Sequence, residues 1–574
     1  MKKIIYTISL IAFVSLLFTE CSEEFLNIKP IGKVNELSFF SDTANMDIAI
    51  NGIYNAFEYK ENLDVYDEFR MYMGSVASDE AECGGDTPTA WAEGYSYDEL
   101  TYDPSASILE ILYGAMFAGV SRASQVIEQL PEAKQLEGID TVKVNVRLGE
   151  AHFLRAAFYF VLTRAFGGVP VVDHILLASE YNTIPRGTIK EVYTLMESDL
   201  KKAIKYLPLE SEMSSGDKGR ATKGSAQSLL AKMFVFEASY YTYYGTNDVR
   251  MGEVQDRWAE ALYLCETVIN SGEYELLGAG GETYETFWGP TTNGFRYLFS
   301  VEGNNNKESI FAIQHSLDQI GYNINRGTAL NMFVGTRALY LDDAQTQMSS
   351  EGSHTWGFWA PTHKLYNMFH PDDVRRKVAI GEGPNPETGY KGDSIYCAPD
   401  GNEPGWYVIV PTRYPATGFE AFKYEIGPHL GSFQGLEWQA NPQNQYYLRY
   451  ADVVLLAAES AMMTNDQTKA KTYFNMIRER ARNCGDGVNP ADLSGDVTKK
   501  EIMDERSREF ACEGERFFDL VRWHEAYNEI NGTRMEWWDD SYNDLIYEEP
   551  KNDFFPLPSI DVSKNSSLNQ YAGW

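Results

Sequence analysis

Histidine, paired cysteine, positive charge and long apolar runs are all scarce in this chain of 574 residues. Its eight histidines form no HExxH, and no GxSxG elbow is present, so the zinc-protease and serine-hydrolase signatures are missing. His354, His363 and His370 lie near one another, but their spacings share no single helical face and predict no metal site. The six cysteines, at positions 21, 83, 265, 397, 484 and 512, show no CxxC spacing. That argues against a disulfide framework and against a zinc site. Cys265 and Cys512 sit in helical patterns and are expected to be small buried apolar groups. Lys and Arg number 49 against 83 Asp and Glu, a net charge of -34. Such a field repels phosphate backbones and anionic headgroups, so nucleic acid is not expected as a partner.

One apolar run stands out, at the N-terminus. Met1-Lys2-Lys3 is followed by Ile4 to Phe18, almost wholly apolar, and then by Thr19-Glu20-Cys21. The run is shorter than the ~20 residues a helix needs to span a bilayer. Its layout is that of a secretory signal, predicted over residues 1–20. Cys21 then becomes the lipidated first residue of the mature chain, held by several acyl chains where one would be marginal. An uncleaved anchor, or a plain signal with Cys21 incidental, is the alternative. Glu20 departs from the small residue usual before a lipidated cysteine.

What the chain has in excess is aromatic rings, with 37 Tyr and 11 Trp. That is more than a core requires, and exposed Tyr and Trp suit flat, partly apolar ligands such as sugar rings. Helical periodicity dominates residues 21–280. "SILEILYGAMFAGVSRASQVIEQL" opens with Ser107 to Glu110 as a capping box and stops at Pro131. "VRLGEAHFLRAAFYFVLTRAFGGVP" ends at Gly167-Gly168-Val169-Pro170, and "TIKEVYTLMESDLKKAIKYLP" starts with a second capping box, Thr188 to Glu191. Helices of 15–20 residues, with Ala and Gly at close approaches, predict a mainly α fold. They would stack as tetratricopeptide-like hairpins of degenerate repeat. Residues 281–445 are rich in Gly, Pro, Asn and Trp and read as irregular structure with short strands, where binding usually sits. Helices return over 446–574, with Thr498 to Glu501 as a cap, and no linker separates independent domains. Residues 21–574 are therefore expected to form one unit, with a loop-rich, strand-poor ligand face that includes a long loop over 66–102.

"ERSREFACEGERFFDLVRW" is acidic enough to suggest a glycosidase pair. Glu501, Asp504, Glu505, Arg508 and Glu509, however, fall at i, i+3 or i+4, the spacing of a salt-bridged helix face. Arg516, Arg522 and Trp523 are expected to tie that helix to its neighbours. "GDKGRATKGS" has the glycine spacing of a phosphate loop, but Ser225 stands where the lysine must be, so a turn into a helix is predicted.

Several stretches together resemble one family. "RGTIKEVYTLMESDLKKAIKYLP", "GRATKGSAQSLLAKMFVFEA", "YYLRYADVVLLAAESA", "ERSREFACEGERFFDLVRW" and the ending "FFPLPSIDVSKNSSLNQYAGW" follow, in order, segments of the SusD/RagB outer-membrane lipoproteins of Bacteroidetes. The resemblance runs from Cys21 to Trp574. It implies a tetratricopeptide-type scaffold, capture of glycan at the cell surface, and delivery to a TonB-dependent outer-membrane transporter of the SusC type, without catalysis. Ser22-Glu23-Glu24 resembles the family's acidic export tag, which implies exposure on the cell surface. A lid protein binding peptide or another nutrient, and a lipid-anchored glycan hydrolase, are the alternative readings.

A sugar ring needs an aromatic platform and hydrogen-bonding partners for its hydroxyls. "ASDEAECGGDTPTAWAEGYSYDEL" offers Asp79, Trp91 and Tyr95; "FWGPTTNG" offers Trp288 and Asn293; "QIGYNINRG" offers Tyr322, Asn323 and Arg326. Trp91 and Tyr322 are the expected platforms, and Asp79 and Arg326 the expected polar partners. Trp356 and Trp359 are candidates either for the ligand face or for pinning their loop onto the helices. No cofactor is expected. Asp and Asn in the Gly-rich segments suit calcium, but no EF-hand spacing supports a site.

Overall fold

The computed structural model describes residues 40–574 except 41–42, 59–63, 86–89, 136, 246, 287–288, 317–326, 336–337, 342–355, 383–393, 398–404, 411–416, 425–440 and 534–543. The signal segment and Cys21 lie outside the described residues, as do Trp288, Tyr322, Asn323 and Arg326.

The architecture is mainly helical, a tetratricopeptide-like stack. Helix Thr141–Phe166 packs between Ser107–Gln129 and Ile189–Tyr206, which in turn packs on Lys223–Tyr243 and then on Trp258–Ile269. After the irregular middle, helix Tyr450–Met463 docks on Trp258–Ile269 and carries Gln467–Cys484. The late helices thus continue the early stack. From Arg147 to Phe166 every residue is buried, so this helix is internal and shows no polar face. Its buried charges are paired: Arg155 Nε and Nη2 donate to Asp199 Oδ2 and Oδ1 at 2.7 and 2.8 Å, which clamps it to the next helix. This helix ends beside a backbone crossing, where a Cβ on Gly168 would lie 1.9 Å from the Gly187 carbonyl oxygen. Among the described residues no helix is long and apolar enough to cross a membrane.

Thr188 and Glu191 form the expected capping box, and Thr498 accepts from the Glu501 amide at 3.2 Å. Ser107 departs from expectation. It lies inside the first turn rather than at the cap, and its hydroxyl and the Ile108 amide both donate to Glu93, at 2.5 and 2.7 Å. A carboxylate from the preceding helix does the capping.

The acidic C-terminal motif is structural, but most of its pairs reach other elements. Lys500 pairs with Asp504 and Arg508 with Glu505 on the helix face. Glu509 instead receives Arg375, Arg449 and Arg480 from three other segments, all buried. Arg522 grips Glu459, which also accepts from Trp523 Nε1 at 2.7 Å, and the Arg522 guanidinium lies 4.2 Å from the Trp523 ring centre. Cys83, Cys265, Cys484 and Cys512 are free and buried.

In the middle of the chain the described strands are short and antiparallel. Gln445–Arg449 pairs with Ser309–Ile313, Phe419–Ala421 with Ile380–Glu382, and Ala81–Gly84 with Phe358–Pro361. The last pair joins the early part of the chain to its middle. Residues 66–102, expected as one long loop, are instead largely ordered, as the helical run Val65–Glu68 and Phe69–Val76, this strand and helix Ala92–Asp98.

Candidate functional site

The register of that ribbon sets Ala81 opposite Pro361 and Gly84 opposite Phe358. Two glycines allow the close approach. Gly84 and Gly85 have φ of 77° and 90°, in the left-handed region, and the Gly85 amide donates to the Gly357 carbonyl at 2.8 Å. A Cβ on Gly85 would fall 2.6 Å from the Phe358 ring. Beyond the ribbon, Trp91 leads into helix Ala92–Asp98, whose Gly94 is bare against Tyr72, Trp91 and Cys83.

Five rings from four segments meet here. Trp91 stacks over Tyr72, with centroids 6.2 Å apart and planes 19° apart, and stands edge-on to Phe333 at 5.5 Å and Phe358 at 5.9 Å. Trp356 lies 4.5 Å from Phe333 and 6.2 Å from Phe358. Tyr72, Phe333 and Phe358 are buried, while Trp91 and Trp356 are half-buried. The result is two partly exposed indoles packed on three buried rings, an apolar surface that carries N–H donors. Tyr95 is half-buried on the same helix, and its hydroxyl donates to the Gly84 carbonyl at 2.8 Å, bracing the ribbon.

Asp79 is corrected from the expected role. It is buried rather than open to ligand. Arg516 Nε and Nη2 donate to its two oxygens at 2.7 and 2.8 Å, and Lys364 Nζ lies 2.6 Å away. Burial works to raise its pKa, but Arg516 and then Lys364 outweigh that and hold it at about 2. Glu80 accepts from Ser75 Oγ at 2.5 Å and from the Cys512 amide at 2.6 Å. Burial pushes its carboxyl up to about 7. Asp98, which accepts from the Cys83 amide at 2.7 Å, is likewise raised by burial and by neighbouring Glu82. Trp359 is no platform either: it is fully buried, has a φ of 66°, and stacks on Tyr424 at 5.6 Å. Asn293 caps helix Gly294–Leu298.

Phe333, Phe358 and Tyr72 escaped the sequence reading. Each is an apolar ring without a periodic pattern to mark it, and their meeting with Trp91 is set by long-range pairing. Among the described residues no three His, Cys, Asp or Glu side chains are grouped to hold a metal ion.

Comparison with known proteins bears on the family and the fold. The SusD family model matches residues 307–574, and a second, described as starch-binding associating with outer membrane, matches residues 24–235. SusD-like protein P2 of Formosa agariphila is 24% identical, over 97% of this chain and 98% of its own. The starch-binding protein SusD of Bacteroides thetaiotaomicron is also 24% identical, over 84% of this chain and 82% of its own. Among solved structures, a laminarin binding SusD-like protein superimposes with a TM-score of 0.70 at 21% identity, covering 92% of this chain and 99% of that one. A SusD homolog from Bacteroides thetaiotaomicron gives 0.73 at 18% identity, covering 95% and 99%. The two matched models together take in residues 24–235 and 307–574, most of the chain and including most of its irregular middle, and SusD-like protein P2 aligns over nearly the whole length: this chain belongs to the SusD/RagB family.

Proposed function

We propose that this protein captures a neutral glycan at the cell surface, without catalysis, and passes it to a TonB-dependent outer-membrane transporter of the SusC type. The observation that carries the reading is the Trp91–Trp356 pair, half-exposed and packed on Tyr72, Phe333 and Phe358. An indole held by such packing takes the C–H face of a sugar ring without ordering flexible side chains at the moment of binding. The neighbouring carboxylates Asp79 and Glu80 are engaged by the scaffold, which supports binding over hydrolysis. The matched family description and the starch- and laminarin-binding names of relatives support carbohydrate as the ligand class. Trp288, Tyr322, Asn323 and Arg326 are proposed as further contacts, and Cys21 as the lipid anchor to the outer membrane. Many modest contacts give an affinity of about -4 to -8 kcal/mol, micromolar to millimolar, which suits a protein that must release its ligand onward.

Calorimetry against starch, laminarin and other plant and host glycans, with reducing ends assayed in the same samples, tests the reading. Saturable binding without new ends is expected. New reducing ends would overturn it in favour of hydrolysis, and no binding across the panel would favour a peptide or another nutrient.

A further inference from the structure

A second cleft, of about 320 Å³, opens between helix Ser107–Gln129, segment 170–184 and helix Ser559–Lys564. No residue of the indole platform lines it. Tyr113, Phe117, Val120, Val172 and Leu176 form its apolar walls. The Tyr113 ring packs 4.7 Å from Phe117 and edge-on against Phe166 at 5.5 Å, which holds it rigid. An apolar cavity of about 150 Å³ accepts a benzene, so this one has room for one ring and its substituents.

Two polar groups in the cleft make no side-chain hydrogen bond among the described residues, although Lys564 acts on one of them, Asp561, through its charge. The Tyr113 hydroxyl, on a residue only 6% exposed, receives no hydrogen bond, and neither does the half-buried Asp561 carboxylate. Both line the same cleft, and burial first, then the charge of Asp561, raises the Tyr113 hydroxyl above its ordinary pKa. The other polar groups are occupied or peripheral. Asn565 Nδ2 donates to the Ile184 carbonyl at 2.8 Å and Oδ1 accepts from the Ser567 amide at 3.0 Å, while His174 sits between Asp173 and Glu180. Ser121, Asn182 and Lys564 are exposed at the rim. One hydroxyl and one acceptor set against apolar walls match a single hydroxyl on an otherwise apolar ring. A pyranose, with a hydroxyl on most ring carbons, would leave several of them facing hydrocarbon at a cost of about 1–3 kcal/mol each.

We propose that this cleft binds a small neutral phenol. Its ring packs against Tyr113, Phe117 and Leu176, and its hydroxyl donates to Asp561 and accepts from Tyr113. The site is separate from the glycan platform.

Calorimetric titration of the purified chain with 4-methylphenol, toluene and methyl β-glucopyranoside tests this, with thermal unfolding as the check on each variant. Saturable binding of 4-methylphenol is expected, tighter than toluene. Tyr113→Phe should weaken it by roughly fivefold, the equivalent of one neutral hydrogen bond, and Asp561→Ala, which removes a charged acceptor, by about tenfold or more. Asp561 is half-exposed, so its variant reads the polar arm even if the Tyr113 variant fails to fold. Leu176→Trp, at a half-buried wall position, should abolish binding, and Trp91→Ala should leave it unchanged. No saturable binding, equal affinity for toluene, preference for the glucoside, or undiminished binding in Leu176→Trp would each overturn the proposal.

Discussion

Arg516 holds Asp79 across 437 residues of sequence, with two parallel N–H donors at 2.7 and 2.8 Å and both side chains buried. This bidentate pair fastens the early part of the chain to the C-terminal motif, and Lys364 adds a second cation from the middle of the chain. Removing one partner leaves the other charge buried and uncompensated. Asp79→Ala should therefore destabilise the fold by about 3–5 kcal/mol in denaturant unfolding. The acid limb follows the same pair. The carboxyl is held at about 2, below its ordinary 3.8, so its contribution is complete above pH 4 and drains away as pH falls toward 2. The difference corresponds to about 2 kcal/mol. A flat stability profile across that interval would contradict it.

Glu80 should behave in the opposite sense. Its folded carboxyl is raised by burial to about 7 from an ordinary 4.5. The folded state keeps the proton where the unfolded chain has lost it, so this residue's contribution is present below pH 4.5 and disappears as pH rises through 7. In Glu80→Gln, Oε1 can still accept from the Cys512 amide, and the new NH₂ can donate to Ser75 Oγ. The variant should gain about 3 kcal/mol over wild type at pH 8 and match it near pH 4. Parallel unfolding curves at the two pH values read the difference.

These two acids also show where sequence reading stops. The helices were legible, because periodicity and caps such as Thr188–Glu191 are local. The aromatic stretch was legible as composition, which pointed to Trp91. Asp79 was not: an acid in a Gly-rich loop looks solvent-facing until its partner, far along the chain, is brought beside it. Phe333 and Phe358 were hidden for the same reason. Phe358 meets its neighbours through the ribbon pairing of residues 81–84 with 358–361, and Phe333 through helix Leu330–Val334, whose Met332 carbonyl accepts from the Trp356 amide. A short unperiodic segment carries no sign of such a partner. The same holds for Glu509, whose three arginines come from three different segments.

Trp91→Ala and Trp356→Ala should each weaken glycan binding about tenfold or more, since each removes one of the two partly exposed indoles. Trp91 also packs on Tyr72, so its loss costs stability as well, and affinity must be read well below the unfolding transition. Trp91→Phe should retain most of the binding. Calorimetry in which neither alanine variant differs from wild type would remove the platform from the site.

Glu93 joins the platform helix to the long helix behind it, through the Ser107 hydroxyl and the Ile108 amide. Its position at a helix N-terminus combines capping with a favourable interaction with the helix dipole. Glu93→Ala should cost about 1–2 kcal/mol and speed hydrogen exchange in the first turn of helix Ser107–Gln129. Glu93→Gln, which keeps an acceptor, should lose less. Equal exchange in wild type and both variants would show that the turn is held by other contacts.

Gly94 and Gly114 make opposite predictions from one substitution. A Cβ on Gly94 would lie 2.6 Å from the Tyr72 ring, 2.8 Å from the Trp91 indole and 2.9 Å from Cys83 Sγ, so all three must shift. Gly94→Ala should destabilise by about 1–3 kcal/mol and displace Trp91, weakening glycan binding with it. Gly114 is exposed in helix Ser107–Gln129, and a Cβ there meets nothing within 4 Å. Gly114→Ala should stabilise by about 0.5–1 kcal/mol through the lower chain entropy of alanine, with binding untouched. Unfolding and calorimetry on the pair separate crowding at the platform from any general effect of the added methyl group. If Gly94→Ala also proved stabilising, the contact between helix Ala92–Asp98 and Tyr72 would be looser than these distances require.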